Sequence, residues 1–160
     1  MPVILIGFMG AGKTSLASKL DSQFIDLDQR IEEKIGITIS EYFNEYGENA
    51  FRQVESEIFE QALLSNRVIA TGGGIVEEET NQKLLSAQSQ VIYLQVSFDV
   101  LYARIQSDKK NNRPLAKDKE SLYNLYHKRT PLYEKYSQYT INVENQSAED
   151  IVHQIKQMIQ

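Results

Sequence analysis

A glycine-rich stretch near the start of the chain has the residue types and spacing of a phosphate-binding loop. Residues 7–14 read Gly-Phe-Met-Gly-Ala-Gly-Lys-Thr and follow the apolar run Val3–Ile6. Glycines allow successive backbone N–H groups to turn toward phosphate oxygens, and the helix that follows points its positive end at the same anion. Lys13 adds a cation for the terminal phosphates, and the Thr14 hydroxyl suits the Mg²⁺ that bridges them. The motif therefore predicts a nucleoside triphosphate site.

Two carboxylates, Asp26 and Asp28, follow the second apolar run of the chain. We expect both aspartates to end the second strand two residues apart, a spacing at which the side chains of a strand share one face, so that one could help hold Mg²⁺ and the other could face an acceptor. Phosphoryl transfer needs oxygen ligands for the metal and a group that aligns the acceptor hydroxyl. The structural alternative is a helix N-cap, especially for Asp28, which precedes a helical pattern. Beside a phosphate-binding loop we favour the functional interpretation.

Three consecutive glycines, at positions 72 to 74, follow the third apolar run. A tight turn between a strand and a helix would explain one of them. A run of three costs backbone entropy that a turn alone does not require. We therefore interpret this segment as one where the backbone closely approaches a ligand.

Three arginines, Arg52, Arg113 and Arg129, lie in segments where a planar, bidentate donor would be useful. Spacing alone leaves Arg52 open between a ligand contact and a surface ion pair with a neighbouring glutamate. Arg113 precedes Pro114, which favours an extended backbone and a side chain that swings onto phosphates, although an ordinary solvated loop arginine is equally compatible. The tyrosines of residues 123–139 fall partly at helical spacing and predict packing with polar tips at the surface.

These candidates are positioned by short β-rich runs that alternate with helix-length segments. Strands are predicted at residues 3–6, 24–27, 67–71, 91–96 and 139–143. Such alternation predicts a three-layer α/β/α fold around a mostly parallel five-stranded sheet. Ligands of these sheets bind at the carboxyl ends of the strands, so the loop, the aspartates and the glycines should meet at one edge. Two segments depart from the alternation: a helical insert at about 28–66 and a polar loop at about 106–120, which we interpret as a lid.

The bulk composition excludes several classes of protein. With 160 residues and 41% apolar residues the chain fits a single domain over 1–160. A net charge of −5 argues against nucleic acid or an anionic membrane as partner. There are no cysteines, which excludes disulfides and thiolate metal sites and is compatible with the cytoplasm. No apolar run approaches the ~20 residues of a membrane span.

Taken in order, six motifs resemble the shikimate kinase family, a branch of the P-loop proteins similar to nucleoside-monophosphate kinases. They lie at residues 7–14, 24–28, 51–52, 71–74, 113–115 and 129–133. The resemblance implies transfer of the γ-phosphoryl group of ATP to the 3-hydroxyl of shikimate, which gives shikimate 3-phosphate. It also implies Mg²⁺ as cofactor, ATP and shikimate as the small-molecule partners, and a monomer.

The resemblance implies a role for each matching residue. The ATP phosphates would be held by Gly10, Ala11, Gly12, Lys13, Thr14 and Ser15. Mg²⁺ would be held by Thr14 and, through water, by Asp26. Shikimate would be bound by Asp28, Arg52, the backbone at Gly73 and Arg129. The catalytic set would be Lys13, Asp28 and Arg113, with Arg113 reaching ATP when the lid closes. Adenine contacts are left open between Arg104 and the pair Asn145 and Gln146.

Other functions remain as alternatives. A kinase of another small polyol acid, such as gluconate, or of a nucleotide would use a similar loop. A GTPase switch would need an Asn-Lys-x-Asp element, which residues 111–114, Asn-Asn-Arg-Pro, do not supply. A catalytically silent ATP-binding regulatory module would be expected to lose Lys13, Asp28 or Arg129, and all three are present. We therefore favour an enzyme.

Overall fold

The computed structural model describes residues 1–107 and 118–159. Five strands form its sheet: β1 (Val3–Ile6), β2 (Ile25–Asp26), β3 (Val68–Ala70), β4 (Val91–Gln95) and β5 (Tyr139–Asn142). Their order is β2-β3-β1-β4-β5, and every pair of neighbours is parallel. The prediction of a five-stranded parallel sheet in an α/β fold is confirmed.

Helices flank this sheet, and they fill the segments between the strands. Their bounds are α1 (Lys13–Leu20), α2 (Leu27–Ile35), α3 (Ile39–Ala62), α4 (Glu79–Ser86), α5 (Phe98–Ser107), α6 (Lys119–Lys135) and α7 (Ala148–Met158). None of the helices in the described ranges has the length and apolar character needed to cross a bilayer.

The position of β1 in the sheet decides where ligands can bind. β1 is buried along its whole length and lies between β3 and β4. Strands buried on both faces are continuous apolar runs, which is what Val-Ile-Leu-Ile provides. The loop that leaves β1 therefore emerges at the middle of the carboxyl edge, between the ends of β3 and β4.

The segment between β2 and β3 consists of α2 and α3, which pack against each other. Gly36 ends α2 in the left-handed conformation, with φ of 77°. Thr38 then caps α3: its hydroxyl accepts from the Glu41 N–H at 3.1 Å and donates to the Glu41 carboxylate at 3.0 Å. Inside α3, Gly47 has φ of 85° and ψ of 173°, which breaks the helix in two.

The strand predicted to carry both aspartates is shorter than expected. β2 ends at Asp26 and α2 begins at Leu27, so Asp28 lies in the first turn of a helix. The prediction that both carboxylates share a strand face is wrong, and the N-cap is Asp26 rather than Asp28. The Asp26 carboxylate accepts from the Gln29 N–H at 3.3 Å, which satisfies one of the unpaired donors at the helix start.

Candidate active site

The phosphate-binding loop joins β1 to α1. Gly10 and Gly12 have φ of 86° and 93°, left-handed values that glycine adopts without strain. Gly12 is the N-cap of α1, so the backbone N–H groups of the first turn open toward the carboxyl edge of the sheet. The Lys13 ammonium is buried and donates to the carbonyl of Phe8 at 3.0 Å and to that of Gly7. Thr14 and Ser15 follow it and are exposed.

A cleft of about 960 Å³ opens in front of this loop. It is bounded by the loop, by α2 and the start of α3, and by the segment after β3. A smaller cavity of about 120 Å³ adjoins it between α3 and α6. Asp26 lines the cleft, whereas Asp28 lines both spaces. The phosphate loop and the smaller cavity are therefore contiguous, and Asp28 stands where they meet.

The three consecutive glycines form one wall of the smaller cavity, and each lies against a charged side chain. A Cβ on Gly72 would stand 2.9 Å from Oδ1 of Asp28, and one on Gly73 would stand 3.0 Å from Nη1 of Arg129. A Cβ on Gly74 would stand only 2.2 Å from Nη2 of Arg52. A side chain at any of these positions would therefore displace the charged group beside it, and the displacement would be largest at Gly74.

Arg52 is buried, and two carboxylates of its own helix hold it. Nη1 donates to Glu55 at 3.0 Å and Nη2 donates to Glu48 at 3.2 Å, while Cζ lies 5.2 Å from the centre of the Phe51 ring. The ion pair that spacing suggested is present, but it lies in the interior and borders the cavity instead of solvent. Burial disfavours the guanidinium charge, yet Glu55 and Glu48 outweigh it and raise the pKa of Arg52. Its buried Nε has no hydrogen-bond partner among the described residues.

Glu55 borders the same cavity, and the sequence analysis did not single it out. Its side chain is 1% exposed and accepts from Arg52 and, at 3.2 Å, from Nδ2 of Asn81. Burial raises the pKa of Glu55 to about 7, with the nearby Asp28 adding to the rise and Arg52 opposing it. The signal for this residue was its i+3 spacing from Arg52, which is shared by many surface pairs.

Arg129 enters the cavity from α6 and is 2% exposed. Its Nε donates to Oε2 of Glu77 at 2.7 Å, and Lys128 lies 2.8 Å from the other oxygen of that carboxylate. One turn later the buried Tyr133 hydroxyl donates to the carbonyl of Gly73 at 2.6 Å. The prediction of a surface tip is wrong for Tyr133, because its hydroxyl finds a backbone acceptor in the interior. Sequence reasoning also missed Glu77, which has no spacing relationship to Arg129.

The remaining predicted residues lie away from the smaller cavity or outside the described ranges. Arg104, on α5, donates from Nη1 to the carbonyl of Gly10 at 2.9 Å, so it touches the phosphate loop. Asn145 has a positive φ of 60° in the turn after β5, where Gln146 also lies. Arg113 and most of the predicted lid fall in 108–117, outside the described residues.

Known proteins resemble this chain over almost its whole length. The model of the shikimate kinase family matches residues 9–160. The shikimate kinase of Lactococcus lactis subsp. lactis is 47% identical over 157 residues, which are 98% of this chain and 97% of that relative. The shikimate kinase of Enterococcus faecalis is 42% identical over 163 residues, with coverage of 98% and 97%.

Solved structures agree with the sequence comparison. The shikimate kinase from Acinetobacter baumannii in complex with shikimate superposes with a TM-score of 0.90 at 33% identity, covering 98% of this chain and 91% of that chain. A deoxyadenosine kinase from M. mycoides, with a TM-score of 0.62 at 13% identity and coverage of 98% and 97%, shares the fold alone. Through the family match and the close relatives, this chain belongs to the shikimate kinase family.

Proposed function

We propose that this enzyme transfers the γ-phosphoryl group of ATP to the 3-hydroxyl of shikimate and releases ADP and shikimate 3-phosphate. One observation carries the proposal: two buried arginines and Asp28 border a cavity of about 120 Å³ that adjoins the cleft of a phosphate-binding loop. A small carboxylated polyol needs cations for its carboxylate and an acceptor for its hydroxyls. Both border a cavity that adjoins the cleft in front of the phosphate loop.

Arg52 and Arg129 act as the clamp for the substrate carboxylate. Guanidinium groups match planar carboxylates with two parallel hydrogen bonds, and the match is stronger where water is excluded. Both arginines are less than a tenth exposed, which supports this role. The backbone at Gly73 completes the clamp, and the place of Gly73 in the lining of the smaller cavity supports this role.

The phosphate loop, from Gly10 to Ser15, holds the ATP phosphates. Backbone N–H groups at the start of α1 supply most of the contacts, since the helix terminus favours an anion there. Lys13 leaves the carbonyls of Gly7 and Phe8 and follows the transferring charge. Arg113 adds a second cation from the lid. Arg104 is placed to contact the nucleotide, because it already touches the carbonyl of Gly10.

Mg²⁺ is the proposed cofactor, and the oxygens near the loop fit it. The hydroxyl of Thr14 and the carboxylate of Asp26 line the same cleft, and hard oxygen donors are the ligands this cation prefers. Thr14 would bind the ion directly and Asp26 through water. Bound there, Mg²⁺ would neutralise charge on the terminal phosphates.

Asp28 positions the acceptor hydroxyl for in-line attack. The hydroxyl oxygen forms a bond to the γ-phosphorus while the bond from that phosphorus to the β–γ bridging oxygen breaks, and ADP leaves. The hydroxyl proton passes to the Asp28 carboxylate. The place of Asp28 at the junction of the two cavities supports this role.

We propose the same organisation that the sequence predicts: a single domain over 1–160, a substrate-binding insert over about 28–66 and a lid over about 106–120. The insert supplies Asp28 and Arg52, whereas the rest of the sheet edge supplies the phosphate loop. Because every proposed contact comes from one chain, a monomer is sufficient. ATP is supplied in the cytoplasm, where we expect the enzyme to work.

An ADP-release assay across shikimate, gluconate and nucleoside monophosphates tests the proposal. We expect release with shikimate, with loss of activity when EDTA removes Mg²⁺. Asp28→Asn should lower kcat, and Arg129→Ala should raise the KM for shikimate at least about tenfold, the effect of losing a buried charged hydrogen bond. Arg67→Ala is the matched control, because Arg67 is partly exposed and pairs with Asp21 away from both cavities. Release with gluconate alone would overturn the choice of acceptor.

A further inference from the structure

Glu77 lies behind Arg129 and belongs to none of the six motifs that suggested the function. It follows the triple glycine on the way to α4, far from α6 in the sequence. Its carboxylate nevertheless bridges two consecutive residues of α6, with Oε2 at 2.7 Å from Nε of Arg129 and Oε1 at 2.8 Å from Nζ of Lys128. Its side chain is 13% exposed, whereas that of Lys128 is 66% exposed.

Glu77 supplies Arg129 with a carboxylate that its own helix does not offer one turn away. The residues one turn before it are Leu125 and Tyr126, and those one turn after it are Leu132 and Tyr133. Arg52, by contrast, is held by carboxylates at i−4 and i+3 of α3. On α6 the buried Arg129 side chain hydrogen-bonds with that of Tyr133, and a carboxylate from another segment would fix its direction further. Glu77 provides that fixation from across the fold.

The bond from Nε determines how the guanidinium is presented. Donation from Nε to Glu77 restricts rotation about the bond between Cδ and Nε, and the edge with both terminal nitrogens then faces away from Glu77. Nη1 accordingly lies beside Gly73, and the side chain lines the smaller cavity. This is the edge that a carboxylate would use for two parallel hydrogen bonds.

The charge of Glu77 does not cancel that of the clamp. One carboxylate shared by two cations leaves a net charge of +1 on the group. Burial alone would raise the pKa of Glu77, but Lys128 and Arg129 lower it below its ordinary value, so the carboxylate stays ionised at neutral pH. Arg129 therefore keeps both a fixed direction and a surplus of positive charge.

We propose that Glu77 is a positioning residue, which aims the terminal edge of Arg129 at the carboxylate of the acceptor and is itself held by Lys128. This proposal rests on the proposed function, because it assumes that the acceptor in the smaller cavity carries a carboxylate.

Steady-state kinetics with shikimate test it. Glu77→Ala should raise the KM for shikimate about tenfold, the equivalent of one buried charged hydrogen bond, and leave kcat and the KM for ATP within about twofold. Glu77→Gln keeps an oxygen for Nε but loses the charge, so its KM should rise about threefold. Glu79→Ala is the matched control, since Glu79 is exposed on α4 and pairs only with Lys83 among the described ion pairs. The control should behave as the parent.

Methyl shikimate, in which an ester replaces the carboxylate, separates positioning from a merely structural role. With this substrate, kcat/KM should be nearly the same for the parent and for Glu77→Ala. An equal loss on both substrates, or an unchanged or lower KM for shikimate, would overturn the proposal. If Glu77→Ala does not fold, the same comparison of shikimate with methyl shikimate is made with Glu77→Gln, and the same outcomes support or overturn the proposal. Failure of the proposed function is distinguishable, because the parent itself would then release no ADP with shikimate.

Discussion

The two halves of the active site are built in different ways. The proposed donor half comes from eight consecutive residues, 7–14, which run from the end of β1 into the first turn of α1, and the groups proposed to bind phosphate are mainly backbone N–H groups. The acceptor half draws on α2, α3, the segment after β3 and α6, and its groups are charged side chains. A backbone site is fixed as soon as the loop folds. A side-chain site also needs partners that hold each charge in place, and Glu55 and Glu77 serve this purpose.

The acceptor half is also the more costly of the two to build. A buried ion needs a partner, because the desolvation penalty is several kcal/mol per charge and good geometry offsets it only in part. Arg52, Glu55 and Arg129 are all nearly inaccessible. We therefore expect this concentration of buried charge to contribute more to recognition than to stability, so the two halves should respond differently to substitution.

The largest effect is expected in the donor half, from Lys13→Ala. Removing the cation at the transferring phosphate should lower kcat by about 10³, a typical effect of deleting a group that stabilises developing charge. The KM for shikimate should change little, because Lys13 lies outside the smaller cavity. Steady-state kinetics check this, with the exposed Lys19→Ala as the control on the same helix. A comparable rise in the KM for shikimate would show that the two halves are not separable.

A graded effect is expected in the acceptor half from adding one methyl group. In Gly74→Ala the new Cβ would meet Arg52 at 2.2 Å and displace it, so the KM for shikimate should rise by about 10- to 100-fold. In Gly73→Ala the new Cβ would stand 3.0 Å from Nη1 of Arg129, so Arg129 needs to shift only slightly. The KM for shikimate should therefore rise only about threefold.

Gly36→Ala is the matched control for these variants. It places a methyl group at a left-handed position with no atom within 4 Å, so it should cost about 1 kcal/mol of stability without affecting the KM. Thermal unfolding measured beside the kinetics distinguishes the two causes. Equal KM values for Gly74→Ala and Gly73→Ala would contradict the view that the effect depends on how closely the arginine side chain approaches each glycine.

The next effect concerns pH and Glu55. Its pKa of about 7 in the folded protein lies above its ordinary value of 4.5, so the folded state holds a proton that the unfolded state has lost. The contribution of Glu55 to stability is therefore present below about 4.5 and disappears as the pH rises through about 7. Glu55→Gln should remove this part of the pH dependence of unfolding.

Substrate binding should show the opposite pH trend. Protonation of Glu55 below about 7 removes its ion pair with Arg52, so the KM for shikimate should rise roughly fivefold toward acid pH. In Glu55→Gln the KM should be high at every pH. Glu48→Gln is the control, because its carboxylate is half-exposed and contacts the same arginine. A parallel pH profile in the parent and in Glu55→Gln would assign the titration to another group.

The smallest effect is expected from Tyr133→Phe. Losing the hydrogen bond to the carbonyl of Gly73 should lower the free energy of unfolding by about 1 kcal/mol. The KM for shikimate should rise about twofold, since the bond supports the wall of the smaller cavity from behind. Denaturant unfolding and the ADP-release assay measure the two quantities. Tyr136→Phe, whose hydroxyl donates to Gln82 at 3.2 Å, is the control. A larger KM change than in Gly74→Ala would invert the proposed ranking.

The same contrast explains what could be predicted from the sequence. The sheet and the phosphate loop were predictable because each depends on neighbouring residues: an apolar run, a glycine spacing, a following helix. The placement of Asp28 was wrong because α2 begins directly after β2, and Asp26 caps it. Nothing in the spacing of two aspartates distinguishes a strand from the first turn of a helix.

The partners in the acceptor half were not predictable for a different reason. Glu77 and Arg129 are brought together only by the packing of α6 against the segment after β3, and Asn81 reaches Glu55 only across the junction of α3 and α4. Arg52 remained ambiguous because an i+3 carboxylate looks the same on a surface and in an interior. Whether such a pair lies at the surface or in the interior depends on the tertiary fold, which residue spacing does not reveal.

The glycine wall has a consequence for inhibitors of this enzyme. A compound that hydrogen-bonds to the backbone of residues 72–74 touches atoms that substitution cannot delete. Any side chain introduced there to push the compound out would also meet Asp28, Arg129 or Arg52. Escape from such a compound would therefore be expected to impair catalysis as well. A compound that relies on Ile39 or Phe43, two apolar residues that line the same cavity, would select for resistant variants more readily.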